Sequence, residues 1–137
     1  MPSYFLAKSD PQEYSLEDLE RDGRTEWDGV RNAQAARAIQ QMRPGDKVFF
    51  YHSGGAPAIV GLATVDSEPY PDPKDSKSWI AAFAFHTRID PPVTLREIKS
   101  TGEFSDWALV RQSRLSAMPA PREFVAWMRK QRPNQGI

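Results

Sequence analysis

The chain is 137 residues long, has no cysteine and balances 18 basic residues against 18 acidic ones. That length fits one domain with a core of its own, and the missing thiols exclude a disulfide framework and a thiolate zinc site. Zero net charge argues against a broad electrostatic glove for duplex nucleic acid, and no apolar run approaches the roughly 20 residues that cross a bilayer, so no membrane partner is expected.

Taken in chain order, Tyr4 to Lys8 alternates and reads as a short strand, broken by Ser9-Asp10-Pro11. Ser15-Leu-Glu-Asp18 is a capping-box variant that opens a short acidic helix to about Arg21, with Leu16 and Leu19 on its buried edge and Gly23 as its stop. Asn32 is a good N-cap for a second helix, in which Ala35, Ala36, Ile39 and Met42 recur at helical spacing. Pro44-Gly45-Asp46 ends it in a tight turn. KVFFYHS then reads as a strand, with Phe49, Tyr51 and Ser53 on one face and Val48, Phe50 and His52 on the other.

After a GGAP turn, AIVGLATVDS is the next strand, and its mid-strand Gly61 predicts a bulge or a close approach. EPYPDPKDSKS reads as an irregular loop, and Trp79 to Arg88 as a further strand. Thr94-Leu-Arg-Glu97 repeats the capping box and opens a short helix. Trp107 to Val110 reads as a short strand and RQSRLSAMP as a loop. The last helix starts with Pro121 at its first position. The reading is α+β: one domain over 1–132, a small mixed β-barrel with flanking short helices, and a disordered tail over 133–137.

Catalytic motifs are weak. His52 and Ser53 are neighbours on a strand, so they point to opposite faces and make no direct dyad. His86 lies in an alternating apolar strand, and Asp10, Asp28 and Asp46 sit in turns where aspartate serves local hydrogen bonds. There is no glycine-rich phosphate loop, and two histidines without cysteine make a metal site unexpected; no cofactor is predicted. MPSYFLAKSD lacks the basic-then-apolar order of a signal peptide, so the expectation is a cytoplasmic protein, with short loops that suit a bacterial source, acting as a monomer.

Binding is better supported. Trp27, Tyr51, Tyr70, Trp79 and Trp107 fall at or near predicted junctions, where aromatic faces can line the mouth of a barrel. Stacking on such faces holds a base by roughly 1–3 kcal/mol, and a few amides or hydroxyls then read its edge. Asn32 and Ser53 are candidates for that reading, and Arg31, Arg111 and Arg114 for the flanking phosphates. Trp27, Asn32 and Ser53 are expected to share one cavity.

YFLAKSDP, SLEDL, WDGVRNAQAAR, GDKVFFYHS, AIVGLATV, EPYPD and RQSRLSAMP occur in that order along nearly the whole chain. With them the chain resembles an EVE domain, the PUA-superfamily module also seen in the thymocyte nuclear protein 1 family. The resemblance implies a PUA-like barrel with a nucleobase pocket, and some EVE domains read modified cytosine in DNA. Carried onto this chain it implies base-binding roles for Lys8, Ser9, Trp27, Arg31, Asn32, Tyr51, His52 and Ser53, with Trp79 added from its place at a junction. It also implies phosphate or pocket-loop roles for Arg111, Ser113, Arg114 and Ser116. The loop between EPYPDP and Trp79 is brief beside that of the longer eukaryotic relatives, which leaves the ligand open: modified DNA, modified RNA or a free modified nucleoside. The competing readings are an enzyme acting on a nucleotide or RNA through Lys8, Asp10 or His52, and a protein-binding adaptor using the basic C-terminal end.

Overall fold

The computed structural model describes residues 2–137. Its elements are β1 (Tyr4–Ser9), α1 (Leu16–Asp22), β2 (Arg24–Trp27), α2 (Ala33–Gln41), β3 (Lys47–His52), β4 (Ala58–Val65), β5 (Tyr70–Asp72), β6 (Asp75–Thr94), α3 (Leu95–Ser100), α4 (Ala108–Arg111), β7 (Ala117–Pro119) and α5 (Arg122–Gln131). The capping signals place their helices as expected. Ser15 and Asp18 close a reciprocal capping box on α1, Thr94 and Glu97 close another on α3, and the Asn32 side chain accepts from the Gln34 and Ala35 amides of α2. Each satisfies amides that the first helical turn leaves unpaired. Pro121 stands one position earlier than expected, as the N-cap of α5.

The strands form one mixed sheet in the order β2-β6-β4-β3-β1-β7, with β5 added on β6. Among the described residues only the β1–β3 pair is parallel. Register shifts in the β4–β6 ladder bend the long β6, and the sheet curls into a half-barrel. The shape leaves β2 and β7 as the two edges of the curl.

Strand β3 sits in the middle and carries both halves of the core. Phe49 packs with Tyr4 and Phe124 on one face, beneath α5, where Phe124 also meets Trp107, Phe104 and Trp127. On the other face Phe50 meets Trp27 and His52, inside the curl. The period-two pattern of KVFFYHS therefore separates two aromatic clusters. Gly61 is the predicted close approach: a Cβ there would lie 2.6 Å and 2.8 Å from the Leu16 methyls and 3.0 Å from the Thr87 carbonyl oxygen. Its hydrogen lets α1 sit flat on the sheet.

Several expectations are corrected. The segment EPYPDPKDSKS is a hairpin, β5 with the start of β6, because Asp72 and Asp75 accept backbone amides two residues on and tighten the turn. Trp107 to Val110 is not a strand: Trp107 caps α4, its ring packs 4.4 Å from Phe124, and its indole nitrogen donates to the Pro119 carbonyl. The end of the RQSRLSAMP loop is β7, which pairs with β1 and supplies the partner that edge needs. The strand RTEW, β2, has no counterpart among the predicted elements; its four residues are too few for a periodic signal. At the C-terminus Gln135 accepts the Asp90 amide, and Arg129 donates to the Ile137 carbonyl.

Candidate ligand-binding site

A cavity of about 400 Å³ opens where the two edges of the curled sheet face each other across the end of β1. The end of β2 and the turn after it supply Thr25 to Val30, β1 supplies Lys8 and Ser9, the turn before α1 supplies Asp10, Glu13 and Tyr14, and Ser116 comes from just before β7. The volume suits a small ring ligand.

Trp27 to Val30, the first four residues of WDGVRN, form one wall and the floor. Trp27 ends β2 half-buried, with Phe83 stacked at 5.1 Å, Phe50 edge-on at 5.5 Å and Tyr14 edge-on at 6.4 Å. Gly29 takes a positive φ of 75°, which turns the chain under the cavity at no steric cost. The buried Ser78 hydroxyl donates to the Val30 carbonyl and ties this turn to β6. Asn32 then starts α2. Its side-chain oxygen is used by the helix, and it is not among the cavity's lining residues.

Lys8 is half-buried at the cavity. Its ammonium donates to the Ser113 carbonyl at 3.0 Å and stands 5.6 Å from the centre of the Tyr51 ring. Burial pulls its pKa below the ordinary lysine value. The Ser9 hydroxyl donates to the Tyr14 carbonyl, which holds the turn before α1 in place. Four exposed carboxylates, Asp10, Glu13, Glu26 and Asp28, are among the lining residues, from the turn before α1 and the end of β2. Glu26 accepts from the Tyr70 hydroxyl, and that hydrogen bond, with some burial, pushes the phenol up to about 12.

Of the residues singled out from sequence, Lys8, Ser9, Trp27 and Ser116 line this cavity. Tyr51 and Ser113 stand behind it, under and beside the Lys8 ammonium. Arg31 and Arg114 are exposed within two residues of the lining residues Val30 and Ser116. Arg111 is exposed too, with Asp106 at 3.7 Å. The remaining candidates lie elsewhere. Ser53 bonds back to the Ser9 carbonyl, and Trp79 pairs with Pro71 in the β5–β6 ladder. His52 faces a second cleft, of about 620 Å³, where its Nε2 accepts the Leu16 amide at 3.0 Å and so caps α1 from across the fold. The expected meeting of Trp27, Asn32 and Ser53 is therefore not what the lining shows. Sequence reasoning passes over Tyr14, Glu13 and Glu26; only their place beside KSDP and WDGVRN could flag them.

A curled mixed sheet with short helices outside it, and a cavity where its edges meet, is the architecture of a PUA-like domain. The EVE domain family model matches residues 3–131, and the chain belongs to that family. Human thymocyte nuclear protein 1 is 29% identical over 98% of this chain and 77% of its own length. The share of other relatives is smaller: the chain spans 37% of the rat and mouse proteins of that name. Among solved structures, a protein from Pseudomonas syringae is 32% identical with a TM-score of 0.88, over 95% of this chain and 99% of that one. Human THYN1 protein, solved in complex with 5-methylcytosine-containing DNA, is 26% identical with a TM-score of 0.86, over 95% of this chain and 97% of that one.

Proposed function

We propose that this chain is a non-catalytic binding module that holds one modified or flipped-out base, a cytosine derivative first of all, in the cavity beside Trp27. The observation that carries the reading is that cavity, which combines a half-exposed indole with a half-buried ammonium and several acceptors. A ring stacked on Trp27 would gain roughly 1–3 kcal/mol. Cytosine presents an exocyclic amine, which needs an acceptor, beside ring atoms that need donors. Carboxylates, the Ser9 and Ser116 hydroxyls and the Lys8 ammonium offer both kinds. The human relative solved with 5-methylcytosine-containing DNA supports the same ligand class.

Binding is favoured over catalysis by what Lys8 does. Its ammonium is engaged by the Ser113 carbonyl and the Tyr51 ring, with no carboxylate paired to it among the described residues, which supports binding over proton transfer. The test is titration of the protein with 5-methylcytidine and with cytidine, followed by tryptophan fluorescence, beside mass spectrometry of nucleosides that copurify with it. Saturable quenching in the native chain, with affinity by calorimetry that Trp27→Ala weakens by about 1–3 kcal/mol, supports the reading. Saturable binding that Trp27→Ala leaves intact, or no binding of any nucleoside or oligonucleotide, removes it.

A further inference from the structure

The rim of the cavity is electrically divided. On the side formed by the turn before α1 and the end of β2, Asp10, Glu13, Glu26 and Asp28 are exposed, and none is in an ion pair among the described residues. Arg31 and Arg114, next to the lining residue Val30 and two residues before the lining residue Ser116, are also exposed and also outside every ion pair among the described residues.

A separate apolar cleft of about 310 Å³ is lined by Gln34, Trp107, Leu115, Met118, Pro119 and Pro121 among others. Gln34, in the first turn of α2, is four residues after Val30, and Leu115 is the neighbour of Ser116. The same two segments that border the cavity thus continue into the cleft. Arg31 lies between Val30 and Gln34 in the first segment, and Arg114 adjoins Leu115 in the second.

We propose that the partner is a single strand of nucleic acid. Its modified base occupies the cavity, the phosphate beside it lies on Arg31 and Arg114, and the adjoining base rests in the apolar cleft. This rests on the base-binding reading of the cavity. A flat base needs only an apolar face of its own size, and the cleft has one next to the two cations that would hold its phosphate. The acidic side explains why the partner is one strand and not two. With one backbone on the arginines, a complementary strand would lie about 6–12 Å away across a groove. Its phosphates would then come within about a Debye length, some 8–10 Å, of four unpaired carboxylates.

The experiment measures affinity, by anisotropy or calorimetry, for four probes: 5-methylcytidine, a dinucleotide carrying it, a single strand carrying it and the matched duplex, each in deoxyribose and ribose form. The dinucleotide should bind at least about fivefold more tightly than the nucleoside, the lower end of one base stack. The single strand should outbind the duplex by at least about tenfold at low salt, and its log–log salt slope should be about −0.7, as for one phosphate. Arg114→Ala and Arg31→Ala should flatten that slope and leave nucleoside affinity unchanged. Gln34→Glu, an exposed change at the cleft mouth, should remove the gain from the adjoining base while the thermal midpoint holds.

Duplex binding equal to single-strand binding overturns the proposal. So does a dinucleotide no better than the nucleoside. A change of oligomeric state in Gln34→Glu without a change in oligonucleotide affinity would assign the cleft to a second copy of the chain and likewise overturn it. Nucleoside binding in each of these cases leaves the base-binding reading standing; loss of nucleoside binding itself removes both.

Discussion

The Trp27 indole lies over the Phe83 ring, centroids 5.1 Å apart and planes 26° from parallel, while the same indole lines the cavity. One side chain thus closes the core inside the curl and walls the site. A core-only tryptophan would lose about 3–5 kcal/mol of stability on truncation, and a wall-only one about 1–3 kcal/mol of binding. Trp27→Ala should show both losses, with the stability cost about 2 kcal/mol because the ring is only half-buried. Trp27→Phe should keep most of the stability and part of the binding. Thermal midpoint and ligand affinity, measured on both variants, decide it; an unchanged midpoint in Trp27→Ala would show that the Phe83 contact contributes nothing.

Gly61 is a packing position. Gly61→Ala should destabilise the domain by about 1–2 kcal/mol, since the new methyl meets Leu16 and the Thr87 carbonyl at overpacked distances. Trimming the obstacle should relieve it: in the double variant Gly61→Ala with Leu16→Val, the loss should fall short of the sum of the two single losses. Denaturant unfolding of the three variants measures this, and strict additivity would rule out the contact as the cause.

His52 makes stability depend on pH. Its Nε2 accepts the Leu16 amide, which a protonated imidazole cannot do. Burial holds its pKa below the ordinary value of 6.5, with Glu17 opposing in part. Above that value the imidazole is neutral in both folded and unfolded chains, and its contribution is complete. As pH falls below it the unfolded chain takes up the proton first, so stability drops. Unfolding at pH 7.5 and 5.5 should show a decrease for the native chain, and a smaller one for His52→Gln. Equal decreases would show that the carboxylates alone produce the slope.

The basic residues at the two ends of the C-terminal region should separate by function. Arg129 reaches the Tyr4 hydroxyl, and Arg132 donates to the Pro91 and Pro92 carbonyls, so both fasten α5 and the C-terminal residues to the sheet. Truncation after Met128 should therefore lower the thermal midpoint and leave affinity for a single-stranded oligonucleotide nearly intact. Arg114→Ala should do the reverse. If truncation and substitution weaken binding equally, the terminal arginines belong to the ligand surface.

The parts of this protein legible in its sequence are those written within a few residues. Ser15, Asn32 and Thr94 cap the helices that their spacing predicts, because a cap is a bond between a side chain and an amide two or three positions on. The faces of β3 are legible because side chains alternate along any strand. Gly61 announces a close approach, although not that Leu16 makes it. The resemblance to the EVE family rests on ordered local motifs in the same way.

Tertiary structure alone decided what meets across the fold. Strands β2 and β7 are too short to show a period, and each exists because a neighbouring edge offers unpaired amides and carbonyls. The cavity lies where those two edges face each other, so its membership follows from the curl of the sheet. That is why Tyr14 and Glu26 joined Lys8, Ser9, Trp27 and Ser116, and why His52, whose face alternation already set, met the Leu16 amide there and became the cap of α1.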